Sequence, residues 1–145
     1  MYAICRRVTC DDNDALDALQ EALLQAWRKL DRFAGDAQVG TWLYRVATNA
    51  AIDEVRRRAR RPEPSHELGS MLASSGLPHD QVADRLTIDW ALAQLPPQFR
   101  AVIVLREYLG LSYLEIAQVR GIPVDTVKSQ ISRGRQALAR LLQIG

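Results

Sequence analysis

The sequence predicts an all-α protein built as two small helical domains joined by a linker. Three observations carry that reading. Apolar residues recur at helical spacing in two separate parts of the 145-residue chain. No segment carries a strand pattern of comparable strength, and a stretch punctuated by proline, glycine and serine divides the two parts.

From Ala15 to Phe33, Leu16, Leu19, Leu23, Trp27 and Leu30 form one stripe, with Ala22, Ala26 and Phe33 beside it. Asp11, Asp12 and Asp14 precede the stripe, where carboxylates cap free amides and complement the positive end of the helix dipole. Gly35 and Gly40 bracket a short polar loop. Thr41 is expected to cap a second helix running from Trp42 to about Arg60 and burying Leu43, Val46, Ala47, Ala50 and Val55 before Pro62 stops it. Between Pro62 and about Arg85, three prolines and two glycines interrupt any periodicity, and His66 and His79 are expected in a solvated loop. Next come an apolar run, Ile88 to Leu95, and a helix that Pro96-Pro97 opens and Gly110 ends. Ser112-Tyr113-Leu114-Glu115 has the pattern of a capping box and predicts a short helix to about Arg120. Gly121 supplies a tight turn, and Val124 to about Leu142 forms the last helix. The expected domains are residues 1–61 and 87–145, with 62–86 as the linker.

The formal charge of +2 conceals segregation. Residues 1–61 carry eleven Arg/Lys against nine Asp/Glu, 62–86 one against four, and 87–145 seven against four. The acidic linker reads as a plain tether or, alternatively, as a segment whose charge steers it along a basic surface or mimics nucleic acid. No apolar run is long enough to span a bilayer, and the first residues lack the order of a secretory signal, so a cytoplasmic protein is expected. Cys5 and Cys10, without a CxxC pair or a neighbouring histidine, read as small buried or half-buried side chains. No catalytic triad, metal site or cofactor motif assembles from these residues.

Two constellations remain. Ser112 to Arg133 has the layout of a helix-turn-helix, in which Val124, Val127, Ile131 and Leu138 point inward. The opposite face presents Asp125, Lys128, Ser129, Ser132, Arg133 and Gln136, groups able to donate to base edges and phosphates in a major groove. The second constellation, Arg56-Arg57-Arg58-Ala59-Arg60-Arg61, suits the negative end of a helix dipole and also phosphate neutralisation. The helix that bears it carries Trp42, Tyr44, Arg45, Asn49 and Asp53; rings near cations suit unpaired bases, although Trp42 also suits a core.

Two motif blocks then point to a family. The first is Asp17-Ala18-Leu19-Gln20-Glu21, then Ala26-Trp27, Leu30-Asp31-Arg32-Phe33, Thr41-Trp42-Leu43-Tyr44-Arg45-Val46-Ala47, Asn49 and Ile52-Asp53. The second is Leu95-Pro96-Pro97-Gln98-Phe99-Arg100, Leu111-Ser112-Tyr113-Leu114-Glu115-Ile116-Ala117 and Pro123-Val124-Asp125-Thr126-Val127-Lys128-Ser129. In this order and spacing the chain resembles an extracytoplasmic-function sigma factor of bacterial RNA polymerase, the blocks being similar to sigma regions 2 and 4.

The resemblance implies a non-enzymatic subunit whose partners are core RNA polymerase (its clamp coiled coil and flap), promoter DNA and an anti-sigma factor. It implies that Leu16, Asp17, Gln20 and Glu21 dock on the clamp. The loop Gly35 to Gly40, including Asp36, Ala37 and Gln38, would capture a flipped base of the minus 10 element, with Asn49, Asp53, Arg56 and Arg57 beside the strand. Thr126, Lys128, Ser129, Ser132 and Arg133 would meet the minus 35 element; Ser132 replaces a larger side chain common there, so no base preference carries over. The family's second region has another amphipathic helix ahead of the one beginning near Tyr2. An exposed apolar face on the Met1–Cys10 helix is therefore expected, along with a less stable amino-terminal domain. The competing readings are a helix-turn-helix regulator binding DNA as a symmetric dimer, and an adaptor that holds protein partners.

Overall fold

A computed structural model describes residues 1–32, 38–61 and 79–143, the side chains at 79–83 excepted. Its helices are α1 (Tyr2–Thr9), α2 (Asp12–Lys29) with a 3-10 turn at Leu30–Arg32, α3 (Val39–Ala59), α4 (His79–Ala93), α5 (Pro97–Glu107), α6 (Tyr113–Arg120) and α7 (Val124–Gln143). No strand occurs among the described residues.

The caps follow from local chemistry. The Asp11 carboxylate accepts from the Asp14 amide at 2.9 Å and starts α2. Pro97 sits in the first turn of α5, where its missing N–H is no loss. At α6 the capping box closes both ways: the Glu115 amide donates to Ser112 Oγ, and the Ser112 amide to the Glu115 carboxylate, each at 3.1 Å. Hydrogen bonding from the Ser112 amide, and next from its hydroxyl, holds the Glu115 carboxyl below its usual range. Gly121 ends α6 at φ 65°, a conformation in which a side chain would be strained.

Several expectations are corrected. Gln38, not Thr41, is the cap residue of α3, and the helix begins at Val39. Helix α4 starts at His79, inside the stretch whose prolines and glycines read as a linker; His66 and the rest of 62–78 lie outside the described residues. Its sequence has weak periodicity because α4 is anchored by a buried aspartate, Asp89, as well as by Ala91 and Leu92. On α2 the large apolar stripe does not form the core. Ala15, Ala18 and Ala22 are buried, whereas Leu16, Leu23, Leu24, Leu30 and Trp27, the last 77% exposed, face outward. Alanines let α1 and α3 approach α2 closely, and no described helix covers the neighbouring leucine face. Helix α1 instead buries Ile4, Cys5 and Val8, because α4 and α5 pack on it in addition to α2 and α3. The exposed apolar face expected on α1 is therefore found on α2. On α3 the buried set is Val46, Ala47, Thr48, Ala50, Ala51, Ile52 and Glu54, with Leu43 and Val55 half-buried.

One apolar cluster runs through both halves, from Ile4, Val8, Ala47 and Ile52 to Leu92, Val102, Leu105, Ile116, Val127 and Ile131. Helix α7 completes it by pressing Gly134 against α5: a Cβ there would lie 2.9 Å from Ile103 Cγ1 and 3.1 Å from its Cδ1. Alanine favours a helix interior over glycine by about 1 kcal/mol, while overpacking a tight core costs about 1–3 kcal/mol. Ile103 is buried and has little room to yield. Gly134→Ala is accordingly expected to lower stability by up to about 2 kcal/mol, and Gly134→Leu by more, in urea titrations followed by helical circular dichroism. A stabilised alanine variant would show that the α5–α7 contact is loose.

Candidate nucleic-acid interface

Three surface sets correspond to the sequence expectations. On α2, Leu16, Asp17, Gln20 and Glu21 are all exposed, and their spacing places them on one side of the helix. On α3, Asn49, Asp53, Arg56 and Arg57 are exposed, as is Gln38 at its start; Asp36 and Ala37 lie outside the described residues. On α7, Lys128, Ser129, Ser132 and Arg133 are exposed and Thr126 is half-buried, while Val127 and Ile131 are buried beneath them. Asp125 and Gln136 extend the same outward face.

The first two sets meet. A groove of about 580 Å³ between α2 and α3 is lined by Glu21, Gln25, Asp53, Glu54, Arg57 and Arg61 among others, so the acidic side of α2 opens onto the cationic end of α3. Glu54, nearly fully buried, accepts a hydrogen bond from the Arg57 guanidinium. That bond and the charges of Glu54, Asp17 and Glu21 hold the Arg57 pKa above its usual value. Arg58 is turned instead to the Asp14 carboxylate, with Asp11 3.8 Å away. The arginine run thus divides: Arg58 is tied to the α2 start, Arg57 is oriented by Glu54, and Arg56 stays exposed. Asp14, Asp17 and Glu54 bring carboxylate oxygens within 4.8 Å of one another, and Arg57 and Arg58 supply the opposing charge.

Trp42 is half-buried against Ala22, Val46 and Ala50, and Tyr44 packs on the main core, so both rings serve packing. On α7, Arg135 reaches back to Glu107 through bonds of 3.0 and 2.6 Å, which leaves Lys128 and Arg133 as the cations at the outward face near the helix start. Residues that the sequence reading misses are Arg6, Asp89, Arg100 and Glu54, all buried and charged. Burial of charge carries no local sequence signature, which is why periodicity does not find them.

Comparison with known proteins agrees in both halves. The family described as sigma-70 region 2 matches residues 1–61, and sigma-70 region 4 matches residues 85–138. The ECF RNA polymerase sigma factor SigW of Bacillus subtilis is 35% identical over 159 aligned positions, covering 99% of this chain and 83% of that protein. The RNA polymerase sigma-H factor of Pseudomonas aeruginosa is 36% identical over 94% of this chain and 77% of its own. The ECF sigma-E factor of Escherichia coli is 37% identical, with 90% and 74% covered. Among solved structures, CnrH in complex with the cytosolic domain of CnrY superposes with a TM-score of 0.72 at 29% identity, covering 99% of this chain and 80% of that one. The sigma factor RpoE in complex with the anti-sigma factor NepR from Bartonella quintana gives 0.72 at 25% identity, with 99% and 89% covered. With both regions present in order and this degree of identity over roughly three quarters or more of each relative, the chain belongs to the sigma-70 family, in its extracytoplasmic-function branch.

Proposed function

We propose that this sigma factor binds core RNA polymerase through Leu16, Asp17, Gln20 and Glu21 and directs promoter-specific initiation with two DNA surfaces. Residues 1–61 act as the minus 10 unit through Gln38, Asn49, Asp53, Arg56 and Arg57, together with Asp36 and Ala37. Residues 87–145 act as the minus 35 unit, where Thr126, Lys128, Ser129, Ser132 and Arg133 face the major groove. The observation that supports the reading is that one chain exposes an acidic side on α2, an adjoining cationic end on α3 and a polar, cationic outer face on α7. A symmetric helix-turn-helix dimer would leave the first two without a task.

The energetics favour this division of labour. Extruding a base costs a few kcal/mol, and stacking it in a protein pocket returns roughly 1–3 kcal/mol. Neither surface suffices alone, so linkage through polymerase and through the second DNA contact supplies the remainder. The chain itself catalyses no reaction. It works in the cytoplasm, by likeness to the ECF sigma factors it resembles; no described helix is long and apolar enough to cross a membrane. An anti-sigma factor is the expected regulator, by likeness to the neighbour solved with one.

Retention on immobilised core polymerase tests the reading. Wild-type protein is expected to be retained and to give discrete run-off transcripts only with core present. Asp17→Arg combined with Glu21→Arg should cut retention about tenfold or more at unchanged helical circular dichroism, as like charges meet across the interface. Absence of retention, or specific binding of a palindrome by the unaided protein as a dimer, would overturn it.

A further inference from the structure

Helix α2 keeps a broad apolar face in water. Leu16, Leu23, Leu24, Trp27 and Leu30 are between 43% and 77% exposed, while Ala15, Ala18 and Ala22 on the other side of the helix are buried. Single exposed apolar residues are ordinary, but a contiguous face of this kind, on the order of 500 Å², is near the most that a monomer leaves uncovered. No described helix lies over it.

The face has an order of its own. Leu16, Leu23 and Leu30 recur every seven residues, the repeat of a helix–helix seam, and Trp27 stands between the last two. That leucine row reads the same in both directions about Leu23. A second α2 laid antiparallel across a two-fold axis therefore sets Leu23 on its own copy and Leu16 on the Leu30 of the other chain.

The charges beside the seam select that arrangement. Asp17, Glu21 and Arg28 are exposed, and at 3.6 residues per turn they lie on one flank of the helix, within about 40° of each other. In an antiparallel two-fold pair each flank meets its own copy, so Asp17 and Glu21 meet the Arg28 of the other chain. Lys29 and Arg32 add to the positive end, against Asp31. Arg57 and Arg61 border the acidic flank from α3, and Glu54 is bonded to Arg57, so the sum there stays negative. A parallel pair would instead set like charges level with one another. Acid at the start and base at the end also suit the dipole of α2 itself, but that does not account for the leucine row.

We propose that the chain pairs with a second copy of itself through α2, as an antiparallel two-fold dimer, and that this dimer is a storage form whose polymerase-docking side is covered. The storage role rests on the assignment of Leu16, Asp17, Gln20 and Glu21 to core polymerase. With its charged flanks the seam approaches the roughly 800 Å² that one partner brings to a standard interface, which suits an association in the micromolar range. Core polymerase would then draw single chains from the dimer by mass action.

Sedimentation velocity of the full chain from about 1 to 100 µM tests the pairing, with a passage from monomer to dimer expected in that range. Trp27→Glu should be monomeric throughout at unchanged helical circular dichroism, since the ring is 77% exposed. Arg28→Glu alone, and Asp17→Arg with Glu21→Arg alone, should each raise the dissociation constant about tenfold or more, because like charges then face each other. Mixed one to one, these two proteins should regain dimer, as opposite charges meet again. A wild-type chain still monomeric at the highest concentration, or a dimer that Trp27→Glu leaves intact, overturns the α2 pairing. Charge variants that do not associate in the mixture overturn the antiparallel register, and that mixture decides alone should Trp27→Glu lose its helical signal.

Addition of core polymerase to the dimer should give complexes that hold one chain per core by light-scattering mass; two chains per core overturn the storage role. Failure to bind core at all would overturn the polymerase assignment instead, and the dimer is read without core, so the two failures are told apart.

Discussion

Alanine in place of Arg100 is expected to lower the unfolding free energy by about 3–5 kcal/mol, a large part of what a small protein possesses. The guanidinium is buried and donates to four main-chain carbonyls: Leu92 at 2.8 Å, Ala93 at 3.1 Å, Leu95 at 3.0 Å and Val8 at 2.6 Å. Leu92 and Ala93 end α4, where the last carbonyls of a helix run short of internal partners, Leu95 lies two residues past it, and Val8 is in the last turn of α1. One side chain thus satisfies two helix termini at once. Burial pushes the Arg100 pKa down, yet a guanidinium does not lose its proton in proteins, so the charge persists and is solvated by carbonyl dipoles. Truncation orphans those carbonyls and leaves a cavity. Arg100→Lys should recover only part of the loss, since an ammonium has three donors and no planar fork. Urea titration of the three proteins checks the order wild type, lysine, alanine. An alanine variant within about 1 kcal/mol of wild type would mean that water replaces the guanidinium at little cost.

The second large effect concerns promoter choice. Arg133→Ala is expected to weaken specific initiation by about 1–3 kcal/mol if the exposed guanidinium makes a bidentate base contact, which is roughly a 5- to 150-fold fall in transcript yield at limiting holoenzyme. Lys128→Ala, in contrast, should weaken all sequences alike and flatten the salt dependence, as the loss of a phosphate contact does. Run-off transcription from promoters carrying each substitution of the upstream element, at two salt concentrations, separates the two. An Arg133→Ala protein with an unchanged promoter profile removes that residue from direct readout.

The helix-turn-helix is legible in the sequence because its signals are local. A serine three positions before a glutamate closes a capping box, a glycine adopts a left-handed turn, and inward valine and isoleucine recur at helical spacing. The outward residues of α7 follow by subtraction, since a helix with one face buried must expose the other. The same logic misleads on α2. Periodicity finds the stripe of Leu16, Leu23, Trp27 and Leu30, but which stripe faces the core depends on how closely the neighbours can approach, and there the alanines win. Helix α4 escapes notice for a related reason, since a buried aspartate holds it and its partner is an arginine 83 positions away.

By itself, then, the sequence determines the helical class, most caps and turns, the order of the two family regions, and the residue types on the outward faces of α3 and α7. All of these are set by spacing along one helix or by a motif of a few residues. Only the tertiary structure decides that α1 and α3 carry α4, α5 and α6 on their surfaces, that Arg6, Asp89 and Arg100 are enclosed there, and that Asn49 lies beneath the α6–α7 turn. These are contacts between residues far apart in the chain, made when apolar area shared by both halves leaves water. No local pattern encodes them, because the same charged side chains would be equally at home in solvent.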